Sequence, residues 1–367
     1  MKKEIYHDTA HYPNILVVGV NSPYNKTQHI DSYYEEFLNL VKTYNIPYKE
    51  ALFIKLRSID PAYFLTKGKL QELKKDCQKY AIEQVIFSDQ LTTQQARNLT
   101  DFLECSVFDR TELILEIFEK AAISSEGKTQ VAIAKLQHKK SRLAGKGIHL
   151  AQQAGAIGVR GGPGETAKEK ELRHINQLIL RHKKELKKIQ STQDTQRKNR
   201  IKNNIPQLCL IGYTNAGKST LLNALTKSQV LADNKLFATL DTTTRELYVN
   251  GEKKGTLSDT VGFIQQLPHH LIEAFKSTLS ELQYADLLLH VIDFSDFNWQ
   301  AHIRVVDNIL KDLKINKKIL YVFNKSDKIN NSISLTCALA EYQPHVVISA
   351  NSKEGVQPLI DFLANWK

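Results

Sequence analysis

The 367-residue sequence predicts an α/β protein: a C-terminal, mostly parallel sheet with helices on both faces, preceded by a small α/β domain and a long helical hairpin. Three observations predict it. Short apolar runs alternate with helical patterns at both ends of the chain. The C-terminal runs are near-continuous, as in strands buried on both faces. A strongly basic, glycine-interrupted segment separates the two patterns.

In the N-terminal part, residues 14–20, 51–56, 84–88 and 105–108 read as strands, and those near 31–44, 61–80, 92–104 and 110–123 as helices. In the middle part, residues 126–143 suit a basic amphipathic helix. Leu172, Ile175, Ile179, Leu186 and Ile189 then recur at helical spacing towards Arg200, a narrow stripe that fits two antiparallel helices. The joining stretch, GAIGVRGGPGE (155–165), is either a connector or a tip whose bare backbone and Arg160 approach a phosphate surface. The C-terminal strands are 208–211, one around 253–258, 287–293, 319–324 and 345–349. The expected domains are therefore 1–125, 126–203 and 204–367.

Charge separates these parts further. Residues 126–203 hold 19 Lys/Arg against 6 Asp/Glu, a balance of +13, so the rest of this +11 chain sums to −2. A block of this kind is either a solvated helix surface or the footprint of a polyanionic partner. The four cysteines (Cys77, Cys105, Cys209, Cys337) form no C-x-x-C pair, which argues against a disulfide framework or zinc site and for a reducing cytosol. The two lysines of MKKEIYHDTA have no apolar stretch directly following them, and no run approaches the roughly 18 residues of a spanning helix. A cytoplasmic protein without membrane insertion is expected.

The chemistry lies after the strand at 208–211. Gly212-Tyr213-Thr214-Asn215-Ala216-Gly217-Lys218-Ser219 matches G-x-x-x-x-G-K-[ST]. Its glycines let backbone N–H groups wrap phosphates, Lys218 reaches the β- and γ-phosphates, and the Ser219 hydroxyl ligates Mg²⁺. Asn324-Lys325-Ser326-Asp327 selects the base: Asp327 can accept from the guanine N1–H and 2-amino group, which adenine lacks, leaving a buried carboxylate unpaired. Asn324 ties loops together and meets the base edge, while the Lys325 stem covers the ring. Ser349-Ala350-Asn351 fits a second base loop, with the Ala350 N–H on the guanine O6. Asp259-Thr260-Val261-Gly262 gives a carboxylate that holds Mg²⁺ through water and a Gly262 N–H for the γ-phosphate. Between them a threonine should close on Mg²⁺. Thr239, within Phe237-Ala238-Thr239-Leu240-Asp241, is preferred because it follows Ser219 by 20 residues; Thr242, Thr243 and Thr244 stay open as alternatives. The sum is a GTP-binding and GTP-hydrolysing P-loop domain.

Phe263 stands where a water-orienting Gln or His is common, so slow intrinsic hydrolysis that needs a partner is expected. Asn215 is a candidate for placing a K⁺ ion. His269 and His270 read as surface or capping residues.

With these residues in place the chain resembles the HflX family of ribosome-associated GTPases. The resemblance rests on GYTNAGKST (212–220), LFATLDTTTR (236–245), DTVGFIQQLPHHLIEAF (259–275), NKSD (324–327), DRTELILEIF (109–118), SSEGKTQVAIAKL (124–136) and GVRGGPGET (158–166). It implies binding of the large (50S) ribosomal subunit and its rRNA, with Arg160 a contact candidate. It also implies a role in splitting stalled ribosomes or in ribosome biogenesis, as a monomer. An alternative of another class is an RNA-binding assembly factor whose guanine site senses nucleotide with little turnover; a generic P-loop ATPase is disfavoured by NKSD. Departures are Thr242 for the family's usual proline, Ala154 and Ala156 for glycines, and Thr66-Lys67-Gly68-Lys69 in the N-terminal glycine-rich stretch, which argues against a second nucleotide site there. No extension is expected after the GTPase domain.

Overall fold

The computed structural model describes residues 13–23, 25, 27, 29–45, 47–144, 167–226, 235–268, 271, 279, 281–329 and 339–366. The glycine-rich stretch with Arg160, Cys337, His269 and His270 lie outside them. Two compact units result: residues 1–116 with 139–170, and 117–138 with 171–367.

The first unit holds β1 (Ile15–Asn21), β2 (Glu50–Lys55), β3 (Gln84–Phe87) and β4 (Ser106–Phe108), all parallel in the order β2-β1-β3-β4. Helix α1 (Ile30–Tyr44) buries Tyr33, Phe37, Leu40 and Val41, the i, i+4, i+7, i+8 stripe of an amphipathic helix. Helix α2 is Lys67–Lys79 and shorter than the 61–80 expected. The Asp60 carboxylate accepts from the N–H groups of Ala62 and Tyr63, each at 2.8 Å, and this Asx turn holds 61–66 out of the helix. Helix α3 (Thr93–Leu103) starts at a Thr92/Gln95 capping box. Leu16, Val18, Leu73, Val85, Phe87 and Leu99 form the centre of this unit's core.

Helices α4 (Arg110–Ala121), α5 (Ser125–Ala144) and α6 (Ala167–Lys202) each begin in one unit and end in the other. Of the stripe on α6 only Ile175 and Ile179 are buried; Leu172, Leu186 and Ile189 are half-buried. Lys170, Arg173, Arg181, Lys183, Lys184, Lys187 and Lys188 are exposed.

The second unit is a six-stranded sheet ordered β10-β9-β8-β5-β7-β6. Its strands are β5 (Gln207–Gly212), β6 (Thr243–Val249), β7 (Glu252–Asp259), β8 (Leu287–Asp293), β9 (Ile319–Asn324) and β10 (His345–Val347). All pairings are parallel except β6 against β7. Sequence periodicity missed β6, because its two faces are too polar to show an apolar pattern. The hairpin turn that makes it is Asn250-Gly251, both at positive φ, the geometry of a tight two-residue connection. Helices α7 (Lys218–Leu225), α8 (Trp299–Asp312) and α9 (Lys353–Asn365) cover the sheet. Leu208, Leu210, Leu222, Leu289 and Leu359 centre one core cluster, and Ile211, Phe263, Leu288 and Val306 another.

Candidate functional site

The carboxyl ends of β5, β7, β8 and β9 lie side by side, the edge where open α/β sheets hold ligands. The loop from Gly212 to Ser219 leaves β5 there and runs into α7. Gly217 caps that helix at φ +96, and a Cβ on it would collide with the Asn324 side-chain amide, so only glycine permits the approach. A cleft at this edge is lined by Thr214, Asn215, Gly217, Lys218, Ser219, Thr220, Lys235, Phe237, Ala238, Thr239, Thr260 and Gly262.

Lys218 lies buried beneath the cleft. Its ammonium donates to the carbonyls of Gly212 at 3.1 Å and Tyr213 at 2.7 Å, curling the loop around the charge. Burial lowers its pKa to about 8, with Asp259 acting in the opposite direction. The Ser219 hydroxyl stands 2.8 Å from the Thr239 hydroxyl and donates to the Asp259 carboxylate at 2.8 Å. Burial raises the Asp259 pKa, while Lys218 and the Ser219 hydroxyl hold it down. Of the four candidate threonines Thr239 is therefore the one at Ser219. Thr243 and Thr244 lie in β6, where the Thr244 hydroxyl pairs with that of Ser258 at 2.8 Å; Thr242 immediately precedes the strand.

Thr260 donates its hydroxyl to the Leu210 carbonyl at 2.7 Å, Val261 is buried, and Gly262 faces Thr214 and Lys218. Phe263 is 1% exposed and belongs to the core. Its backbone bridges to the loop: Thr214 N–H donates to the Phe263 carbonyl at 2.8 Å, and Phe263 N–H to that of Gly212 at 3.2 Å. The Tyr213 hydroxyl accepts from Gln265 N–H at 2.8 Å and its ring stacks on His302 at 3.8 Å.

At the base-binding end, Asn324 clamps two loops. Its amide donates to the Ala216 carbonyl, and its oxygen accepts from Ala350 N–H, both at 2.9 Å. The Ala350 N–H expected to face a base thus carries a protein partner here. Lys325 donates to the Asn215 carbonyl at 2.8 Å and to Asp293 at 2.6 Å. Asp327 accepts from Ser349 at 2.6 Å and Asn351 at 3.4 Å. The Ser349 hydroxyl lowers its pKa, so the carboxylate stays ionised. Asp327 is exposed, which corrects the expectation of a carboxylate already buried: the base itself must supply the burial that penalises adenine.

Sequence reasoning missed Lys235, which lines the cleft ahead of Phe237, and Asp293, which braces Lys325. Asp293 had one legible signal, a carboxylate at the carboxyl end of a central strand.

Comparison with known proteins agrees with this geometry. Three family models match: "GTP-binding GTPase N-terminal" over residues 31–119, "GTP-binding GTPase Middle Region" over 121–200, and "50S ribosome-binding GTPase" over 207–325. The GTPase HflX of Caldanaerobacter subterraneus subsp. tengcongensis is 44% identical over 308 residues, covering 84% of this chain and 70% of that protein. The GTPase HflX of Escherichia coli K12 is 38% identical over 331 residues, covering 90% and 78%. A crystal structure of SsGBP with GDP superposes with a TM-score of 0.52 at 27% identity, covering 96% of this chain and 97% of that one. No helix among the described residues is long and apolar enough to cross a membrane. This chain belongs to the HflX family of GTPases and is a GTP-binding, GTP-hydrolysing protein.

Proposed function

We propose that this GTPase is a Mg²⁺-dependent switch that docks on the large ribosomal subunit when it holds GTP, acting in ribosome splitting or biogenesis. The observation that carries the switch is the convergence of the Thr239 hydroxyl and the Asp259 carboxylate on the Ser219 hydroxyl, each 2.8 Å from it. Hydroxyls with one buried carboxylate are a hard oxygen set that suits Mg²⁺, which when bound supplies charge neutralisation at the β- and γ-phosphates. The residues do the rest. Gly212 to Ser219 cradle the phosphates, Lys218 exchanges its carbonyl partners for phosphate oxygens, and Thr239 with Gly262 reports the γ-phosphate. Asn324, Lys325, Asp327 and residues 349–351 take the guanine. Phe263, turned into the core, offers no polar group at the position after Gly262 to orient the attacking water, which supports a slow rate raised by a partner.

Docking on rRNA is supported by the exposed Lys/Arg surface of α6 and by the name of the family matched over 207–325. The test is GTP turnover with and without purified large subunits, beside co-sedimentation in GTP, GDP and a non-hydrolysable analogue. Stimulation at least tenfold, and retention with the analogue but not with GDP, are expected. Binding indifferent to nucleotide would favour an assembly factor with a sensor site instead.

A further inference from the structure

The expected switch segment, residues 237–241, is anchored from outside the nucleotide-binding sequence. The Asp241 carboxylate sits on the N-terminus of α5: one oxygen accepts from the N–H groups of Ile123 and Ser124, each at 2.8 Å, and the other from the Ser124 hydroxyl at 2.5 Å. Ser124 in turn accepts from Gly127 N–H at 2.9 Å through the same hydroxyl, as an N-cap residue does. A negative charge on the unsatisfied N–H groups of a helix start is electrostatically favoured. Gly127 is part of the fit, because a Cβ there would run into the Asp241 carboxylate. Four residues earlier in the segment, the Phe237 ring meets Phe118 edge to face with centroids 4.6 Å apart. Phe237 is buried and held at φ +57, a backbone region that a bulky residue occupies only under constraint.

Thr239 lies midway between these two anchors. Phe237 is fixed two residues before it and Asp241 two residues after it, both by residues of 117–138. The Thr239 hydroxyl sits against Ser219 with that bracket closed. We infer that Asp241, through the Ser124 cap of α5, is a positioning residue that holds Thr239 over the Mg²⁺ and γ-phosphate position, making residues 117–138 a working part of the switch. Withdrawal of Thr239 after γ-phosphate release then pulls on the cap of α5. That helix leaves this unit after His138 and continues in the N-terminal unit as Lys139–Ala144, so the cap links nucleotide state to it through the chain itself. The inference rests on the switch reading proposed above.

The test uses the full-length protein with Asp241→Ala, Ser124→Ala, the double variant and Thr239→Ala. Fluorescent GDP and a non-hydrolysable GTP analogue are titrated at several Mg²⁺ concentrations, and amide exchange is followed at Ile123 and Ser124. Asp241→Ala is expected to lose about tenfold in analogue affinity and to need more Mg²⁺, while GDP affinity stays within twofold. The double variant should lose no more than Asp241→Ala alone, since the two groups act as one contact. Both amides should exchange faster with GDP than with the analogue. Equal losses for GDP and analogue would reduce Asp241 to a structural role and overturn the inference, as would unchanged analogue affinity. Should Asp241→Ala fail to fold, Gly127→Ala makes the same test by crowding the carboxylate. Thr239→Ala separates the two layers: if it keeps full analogue affinity the switch reading itself fails, and if it loses affinity while Asp241→Ala does not, only this inference fails.

Discussion

The two parallel sheets of this molecule end in opposite ways. At the carboxyl ends of β5, β7, β8 and β9 stand Lys218, Ser219, Asp259, Asp293 and Asn324, aimed at a cleft or at the loops that frame it. At the carboxyl ends of β1 and β3 several polar groups hydrogen-bond to one another. The Ser88 hydroxyl accepts from Val20 N–H at 2.9 Å and donates to Asp89 at 2.5 Å, and the Tyr33 hydroxyl donates to the Ser88 carbonyl at 2.7 Å. Arg110 pairs with Glu36 while lying over the Tyr33 ring. The same architecture therefore carries a cleft at one sheet edge and, among the described residues, a cluster of mutual hydrogen bonds at the other. What differs is whether a glycine-rich loop brings backbone N–H groups to the edge.

The largest effect should come at the base loops. Asp327→Asn removes two charge-assisted acceptors for guanine and should weaken GTP binding by about 10³-fold, at ~2 kcal/mol for each bond to a charged group. It should also raise affinity for a xanthine nucleotide, whose C2 carbonyl accepts from the new amide. Calorimetric titration with both nucleotides checks it; a loss for GTP below about fivefold would mean that the guanine is read elsewhere.

A smaller effect concerns stability beneath the phosphate loop. His290 is buried on β8 opposite Ile211 of β5, and burial, with Lys218 adding to it, lowers its pKa to about 3. The unfolded chain takes up a proton near pH 6.5 that the folded chain refuses until about 3, so stability is complete above 6.5 and falls as pH drops between them. His290→Leu should cancel this penalty, raising stability at pH 5 relative to pH 7 by about 2 kcal/mol more than the parent shows. Denaturant melts at the two pH values measure it. Identical pH slopes in both proteins would show that His290 carries its proton in the fold.

The smallest effect tests the hydrogen-bonded edge of the N-terminal sheet. Burial raises the Asp89 pKa to about 6, against the opposing pull of Ser88 and Arg110. Asp89→Asn should leave GTP affinity within twofold. It should also relieve a cost that grows as pH rises from about 4 to 6, since the folded chain keeps the proton there and the unfolded chain does not. A fall in GTP affinity beyond that range would break the contrast between the sheets.

Much of this was legible in one dimension. Strands β8 and β9 match their apolar runs to the residue, because burial on both faces leaves an unbroken pattern. The loop 212–219 and the NKSD turn were legible because each is a short stretch whose backbone conformation and side chains act locally. Strand β6 was hidden by its polarity, and the late start of α2 by an Asx turn that a helical pattern does not register.

What the sequence by itself determined is the class of chemistry: a phosphate loop, a guanine turn and a basic segment, each written in neighbouring residues. Only the tertiary structure decided which threonine meets Ser219, that Phe263 faces the core, and that Asp241 caps a helix starting more than a hundred positions earlier. Such choices depend on which distant groups the packed sheet brings within hydrogen-bonding distance. Loop closure over that span leaves no periodic or local trace in the chain.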